Sequence, residues 1–574
     1  MNRHVLALFV LAAAVSPAMA ESPIRTVTAT FLGTAEDDDL QGVVAAADGT
    51  LYVAGNTGAA AGRLPLGVRP ATFGAPAKQP RCGFGFVAHL SADGKKLLHY
   101  AEFGRGVVLL TSVAATPEAV YVGGYASEAL EDLLKDRPGL VRQYPLVKEM
   151  ERLAADEAAG KVDKIAGRPG LGRYGAPCVL RLSPDLQRLE SGTYLEGWQQ
   201  VWDKVRVTNF RKKIEGNWRE FYWQPTAMAL LKSGDLLVLH DGGYFRLPTE
   251  KDKELAAGNE ELAERLLFYD CCDYVSRLSP DLTGRVWKQA IYTPAVDPKV
   301  AKEVKRGWPL PHYGNPRTHR MRLDKNENVF LCGWSASATS QEPWWSPYLY
   351  KLDPKSGAVV WKAYEYDPMS GEGNRMGGTV ADTAITTVAP EDDGNLLVAL
   401  LADGGNTVMG MSPLADGSRF ESPIKGGGFT VKLVHWWGHV HRVDGKTRRG
   451  LGGARIGPWG WAVDLAGLPG GQAMAVGRCN GPFETTEGEV ASESFPYENP
   501  IAFLRVYAPD FELRFSTLIP GVVPFEMARI APNRFAVTAR ADQPGAPTKD
   551  ALFGKPIGKS DGYLLILEYV PEPK

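Results

Sequence analysis

Phe86-Val-Ala-His-Leu90, closed by the turn Ser-Ala-Asp-Gly94, is a short strand of alternating residues ending in a tight reversal, and the chain uses this unit again and again. It returns as Cys178-Val-Leu-Arg-Leu182 with Ser-Pro-Asp185, and as Tyr274-Val-Ser-Arg-Leu278 with Ser-Pro-Asp281. Tyr348-Leu-Tyr-Lys-Leu352 runs into Asp-Pro-Lys-Ser-Gly357, and His439-Val-His-Arg-Val443 into Asp-Gly-Lys446. Ala502-Phe-Leu-Arg-Val506 and a degenerate Tyr563-Leu-Leu-Ile-Leu567 complete seven copies. A second apolar strand precedes each, as in Leu51-Tyr-Val-Ala-Gly55, Val120-Tyr-Val-Gly-Gly124 and Val329-Phe-Leu-Cys-Gly333, with a further strand before it. A fourth strand follows each turn, around Ala101, Thr193, Ala290, Ala363, Ala454 and Ser516. Four short antiparallel strands repeated seven times specify an all-β, seven-bladed β-propeller. The seventh unit stops near Val570 without a fourth strand, while Thr28-Ala-Thr-Phe-Leu-Gly33 stands alone at the other end, so the N-terminal strand is expected to close the ring.

Phe31-Leu-Gly-Thr34, Gly42 to Gly55 and Phe86 to Gly94 resemble the repeat of secreted bacterial seven-bladed propellers, the SBBP or beta-propeller-repeat family. The close match covers residues 28–104, and later blades keep the skeleton. The resemblance implies a seven-bladed propeller and, for most members, no established activity. Blade 4, with Leu349 to Gly357 and Val360-Trp-Lys362, is also similar to one repeat of the quinoprotein dehydrogenases.

The chain has 574 residues, 44% hydrophobic and 23% charged, with a net charge of -2, a balance that excludes a disordered tail or an electrostatic nucleic-acid binder. Arg3, an apolar stretch from Val5 to Val15 and Ala18-Met19-Ala20 read as a signal peptide over residues 1–20, which predicts a periplasmic or extracellular protein. No later apolar run has the length of a membrane helix, so no membrane insertion is expected, and the chain is read as a monomer. Residues 21–574 are then a single propeller of about 79 residues per blade, against roughly 40–50 in a compact repeat. The surplus falls in segments 56–82, 126–176, 197–223, 242–270, 294–316, 404–437 and 538–560, all joining strand b to c or d to the next a. These open on one face, and Glu128–Lys135, Lys148–Ala159 and Glu250–Leu267 within them are expected to be helical.

Loops set on a rigid scaffold are where ligands bind, so the built-up face is the candidate site. Ten of fourteen tryptophans fall in its connections; Trp198, Trp223, Trp344, Trp345, Trp436 and Trp437 are the candidate ligand surface, stacking on sugar rings or forming a core for the cap. Aligning blades through their second strands puts Gln41, Thr111, Thr226, His319, Asp382, Trp461 and Glu526 around the channel mouth, and of these Gln41, Thr226 and Trp461 join the candidate ligand-binding residues. His319, Asp382 and Glu526 are the candidate acid–base residues, set against a reading in which they pair with Arg320 or Arg317. His435, His439 and His441 cluster with metal-like spacing but lack a local third ligand type, so no metal is assigned. Glu36 to Asp39 and Glu391 to Gly394 are acidic clusters, and the first, read as a connecting loop, is one that can hold calcium; no other cofactor is expected. Cys82, Cys178, Cys271, Cys272, Cys332 and Cys479 match no zinc or haem spacing. The leading expectation is a binding platform for an extracytoplasmic glycan or protein ligand, without catalysis. The alternative is a channel-mouth hydrolase or lyase, or a quinone-dependent oxidoreductase.

Overall fold

The alternation read from the repeats produces seven antiparallel blade sheets in the computed structural model, each with four strands in the order a-b-c-d from the axis outwards. Blades 1 and 2 add a fifth short strand, Ala71–Phe73 parallel to the outer strand of blade 1 and Gln199–Gln200 against the third strand of blade 2. The structure describes residues 22–571 apart from 34–37, 59–67, 69, 75–83, 105–106, 144–173, 196–198, 201–225, 242–272, 292–315, 337–344, 365–382, 404–411, 414–418, 421–435, 448–449, 459, 480–482, 487, 491–500, 542–545, 557 and 559. The innermost strands of blades 1 to 7 are Asp38–Ala45, Val107–Ala115, Thr226–Leu230, Pro316–Leu323, Thr383–Pro390, Gly460–Leu468 and Val522–Ala531. The chain is a seven-bladed β-propeller. Blade 7 is completed by the N-terminal strand Ile24–Leu32, paired antiparallel with Asp561–Tyr569 from Ile24 opposite Tyr569 to Leu32 opposite Gly562. The outer strands begin earlier than the repeat suggests, as with Arg285–Ile291 in blade 3, and the c–d turn has the same length in each of blades 1 to 4.

Short turns such as 46–50 and 469–471 join a to b, whereas long connections such as 127–173 and 242–272 join b to c. Where it is described, the added chain runs along outer strands rather than on one face alone: 71–73 lies beside Leu97–Phe103, Leu140 N–H reaches Leu282 O in the plain-face turn of blade 3, and Lys549 pairs with Ala29 while Asp550 meets Lys95 of the plain-face turn of blade 1. A turn of 3-10 helix, Glu128–Leu130, and a turn of α-helix, Glu131–Leu134, stand where helix is expected, with Leu130 and Leu134 buried against blade 2. The other two expected helices lie outside the described residues. No helix among the described residues is long and apolar enough to cross a membrane.

The plain face shows why the repeat carries Ser-x-Asp. In the c–d turns of blades 1, 2 and 3, Ser91, Ser183 and Ser279 each donate Oγ–H to the aspartate two residues on, at 2.6, 2.5 and 2.6 Å. That carboxylate accepts the backbone N–H of Lys95, Gln187 or Thr283, and the turn closes on itself. The next turn residue has positive φ: Gly94 at 70°, Leu186 at 58°, Leu282 at 62° and, in blade 6, Phe511 at 68°. A side chain there costs about 1–2 kcal/mol. Leu186, Leu282 and Phe511 are buried, each in a core shared with the preceding blade, and burying such a side chain is worth about 1.5–3 kcal/mol, so burial wins.

Adjoining blades also share hydrogen bonds at the same turn. Tyr52 Oη–H of blade 1 donates to Pro184 O of blade 2 at 2.9 Å, and Tyr121 Oη–H of blade 2 to Pro280 O of blade 3 at 2.7 Å. Trp287 Nε1–H and Arg277 Nη1–H of blade 3 meet Pro354 O of blade 4, both at 3.0 Å. Arg442 of blade 5 reaches Pro509 O of blade 6 at 3.1 Å. The proline has no N–H to pair and leaves its carbonyl as the acceptor for the neighbour. Apolar cores fill the spaces between facing sheets, as where Tyr52, Val87 and Phe103 of blade 1 meet Val122 and Leu180 of blade 2. Cys178, Cys332 and Cys479 sit in these layers as free thiols, each pushed up to about 12 by burial; the other three cysteines lie outside the described residues.

Candidate functional site

The channel is lined by the seven innermost strands, and six of them carry a bulge at one equivalent position. Pairing with the second strand skips Gln41, Thr111, His319, Thr386, Val463 and Phe525, each opposite the fifth position of the b strand's apolar core. In blade 3 the register runs unbroken from Thr226–His240 to Ala227–Leu239. A bulge bends its strand and increases its local twist.

This register relocates the expected ring. Gln41, Thr111 and His319 are bulge residues, while Thr226 is the strand residue at the position just before the missing bulge. Blade 5 places Thr386 there, and Asp382 lies outside the described residues. Trp461 comes two residues before Val463 and is fully buried, and Glu526 follows Phe525 by one. The six that are described therefore do not form one layer. A bulge adds a residue on one strand only, so an alignment drawn through the second strands drifts at the innermost ones.

Side chains next to the bulges join six of the seven pairs of neighbouring blades. Asn56 of blade 1 grips Leu110 of blade 2, accepting its N–H at 2.7 Å and donating to its carbonyl at 3.0 Å. Asp273 of blade 3 accepts Thr318 N–H of blade 4 at 2.6 Å. His319 Nδ1 meets Ile385 O of blade 5 at 2.9 Å, and Thr386 Oγ1–H donates to Ala462 O of blade 6 at 2.7 Å. Arg478 of blade 6 donates two bonds to Pro524 O of blade 7 at 3.0 and 2.7 Å. Thr538 Oγ1–H of blade 7 returns to Gln41 O of blade 1 at 3.4 Å.

At the centre, Arg322 of blade 4 reaches across to Asp464 of blade 6 at 2.7 Å and Glu526 of blade 7 at 3.4 Å. Asp464, 1% exposed, also accepts Thr387 Oγ1–H of blade 5, Leu465 N–H and Met527 N–H of blade 7, all at 3.0 Å. Beside them Arg320 donates Nη2–H to Val463 O at 3.3 Å and to Phe525 O. Burial pushes the Glu526 carboxyl above its ordinary value, with Arg322 and Arg320 pulling it back only in part. Burial likewise depresses Arg320, against the pull of Asp464. For Arg322 burial opposes the charge, but Asp464 and Glu526 outweigh it and hold the guanidinium above its usual range. Among the described side chains Glu526 thus has Arg322 as its salt-bridge partner, rather than the expected Arg320; the side chain of Arg317 lies outside what is described. Asp464, Arg322 and Thr387 were not among the expected residues. The two-residue alternation from Arg320 to Arg322 along a strand is the signal that points to them.

The aromatic candidates divide. Trp198, Trp223 and Trp344 lie outside the described residues. Trp345 opens the third strand of blade 4, while Trp436 and Trp437 open that of blade 5, so these three belong to strands rather than to the connections; their side chains lie outside what is described. His439 and His441 share that strand, buried with rings 6.1 Å apart, and His435 lies outside the described residues. Burial holds His439 well below its ordinary value and His441 down at about 4. Among the described residues no three His, Cys, Asp or Glu converge as a metal site. Asp38 and Asp39 belong to the first strand of blade 1 rather than to a loop, and Asp39 accepts Asn56 Nδ2–H at 2.9 Å. Glu391 is bound by Arg442 at 2.7 Å, and Asp393 accepts Asn395 N–H at 2.9 Å.

No protein-family model matches the chain, and no curated protein matches it. A solved protein of unknown function from Dyadobacter fermentans DSM 18053 is similar at 12% identity, over 95% of this chain and 99% of that one, with a TM-score of 0.37. Quinohemoprotein alcohol dehydrogenase ADHIIG from Pseudomonas putida HK5 is similar at 9% identity, over 96% and 77%, with a TM-score of 0.39. An ulvan lyase of polysaccharide lyase family PL25 is similar at 8% identity, over 89% and 93%, with a TM-score of 0.41. Likeness at this level carries no argument about activity.

Proposed function

We propose that the protein is a non-catalytic binding platform that works beyond the inner membrane and offers its built-up face to a glycan or protein ligand. The observation that carries this reading is the fate of the two described acid–base candidates: His319 is 2% exposed and its Nδ1 is taken by Ile385 O, while Glu526 is tied to Arg322. A general base must lie within hydrogen-bond reach of substrate; His319 is shut away by burial with Nδ1–H committed to Ile385 O, and Glu526 is held as a salt-bridge partner of Arg322 across blades. The plain-face turns are likewise taken up by one another, which leaves the opposite face as the place where added chain can meet a ligand.

The test is a glycan array and a pull-down from envelope extract with the purified mature chain, repeated with Trp344→Ala and Trp436→Ala. The reading expects a ligand whose affinity falls at least about tenfold in one variant, the scale of an indole stacking contact. No binding to any glycan or protein, or binding that both variants keep, overturns it. A second reading, a channel hydrolase or lyase, is favoured by the pushed-up carboxyl of Glu526, and polysaccharide turnover lost in Glu526→Gln would establish it in place of the first.

A further inference from the structure

We propose that the channel centre is a proton-operated switch, in which Glu526 takes up a proton on acidification and leaves Arg322 to Asp464 alone. The geometry carries it. One guanidinium, on the innermost strand of blade 4, is shared by two carboxylates of different standing. Asp464 lies at 2.7 Å with three other donors around it, and Glu526 at 3.4 Å with Val43 N–H of blade 1 as its other support. Arg322 and Glu526 are 24% and 16% exposed, so the pair that parts is also the pair the channel solvent reaches.

The surrounding charges decide which acid yields. Arg322, Arg320 and Asp464 face Glu526. On the strands packed against that of Glu526, Arg478 is turned to Pro524 O, Arg505 to Ile456 O, Arg534 to Glu568 and Asp39 to Asn56, while Asp38 and Arg540 stand at the far end of their strands. With both acids ionised the four central charges sum to zero. When Glu526 is neutral they sum to +1, carried by two guanidinium groups of which one has just lost a partner. Desolvation already pushes the Glu526 carboxyl upward, so the proton is accepted with a gain in stability rather than a loss. A native carboxyl titrating above its unfolded value means stability falls as pH rises through the native value, and returns on acidification.

Unfolding by denaturant of the full mature chain across pH 4.5 to 8 tests this. Wild type should have a larger unfolding constant at the alkaline end than Glu526→Gln, about tenfold for each unit by which the carboxyl is raised, and the two should converge at the acid end. Arg322→Gln, which removes the cation that restrains the carboxyl, should move the wild-type step to higher pH. Hydrogen exchange at Val43 N–H needs no variant and should change across the same step. Glu526→Gln less stable than wild type by a constant amount at every pH, or a step unmoved by Arg322→Gln, would mark a permanent ion pair and overturn the switch.

Discussion

Two buried polar centres of this propeller face the same solvent differently. In the channel, Arg322, Asp464 and Glu526 are drawn from three blades and satisfy one another. In blade 5, His439 and His441 lie side by side in one sheet, with the ring of His441 against Gly453, whose absent side chain leaves it room: a Cβ there would come within 3.2 Å of His441 Cγ. The first centre keeps its charges because each has a partner; the second stays in place because its groups are neutral. Their responses to acid therefore have opposite sign, one gaining stability on taking a proton and the other losing it.

The largest effect is expected where the partners are most numerous. Asp464→Ala strips acceptors from Arg322, Thr387 Oγ1, Leu465 N and Met527 N at once, leaving buried donors unpaired in three blades. A loss of about 3–5 kcal/mol in unfolding free energy is expected, the scale of breaking a buried ion pair from one side. Thr387→Val, which removes one donor and leaves the ion pair, should cost about 1 kcal/mol. Equal costs for the two would show that the pair itself contributes little.

The histidine centre gives the next effect. His441 is held down at about 4 by burial, against an ordinary 6.5. The unfolded chain takes its proton below about 6.5 and the native state does not until about 4, so the stability is whole above the first value and is lost as pH falls toward the second. At about 1.4 kcal/mol per unit, this amounts to about 3 kcal/mol, with His439 adding in the same direction. His441→Phe should remove one proton from the slope of unfolding free energy against pH between 6.5 and 4. A slope left unchanged would mean that the imidazole is charged in the native state.

What the amino-acid sequence showed of these centres follows from how each is built. His439 and His441 are neighbours in one strand, so period-two spacing alone places them on a common face. Blades 1 to 6 were legible for the same reason, since each takes its four strands from one stretch of chain and closes its c strand with a turn whose Ser, Asp and Pro announce themselves. The channel centre was not, because Arg322 and Asp464 are 142 residues apart and meet only when the ring closes. Its register is hidden as well: Gln41, Thr111, His319, Thr386, Val463 and Phe525 span five residue types, polar and apolar, since a bulge is imposed by strand geometry rather than by side-chain chemistry. Trp461 looked like a mouth residue and is interior because a shift of two positions along the strand carries it past the bulge.

The smallest effect sharpens the contrast by removing charge from it. Tyr52 and Tyr121 join blades 1 to 2 and 2 to 3 through a neutral hydroxyl on a proline carbonyl. Burial pushes the Tyr52 hydroxyl up to about 12 and raises that of Tyr121, so neither titrates where the channel or the histidines do. Tyr52→Phe and Tyr121→Phe should each cost about 0.5–1.5 kcal/mol, since the ring stays and only the hydrogen bond goes. That cost should be the same from pH 5 to 9, in contrast to the channel variants. The two joins share no residue, so the double variant should lose their sum to within about 0.5 kcal/mol. A double variant that loses clearly more would mean that the plain-face turns act as one ring-wide fastening, and the propeller would then be held shut at this face as much as at its centre.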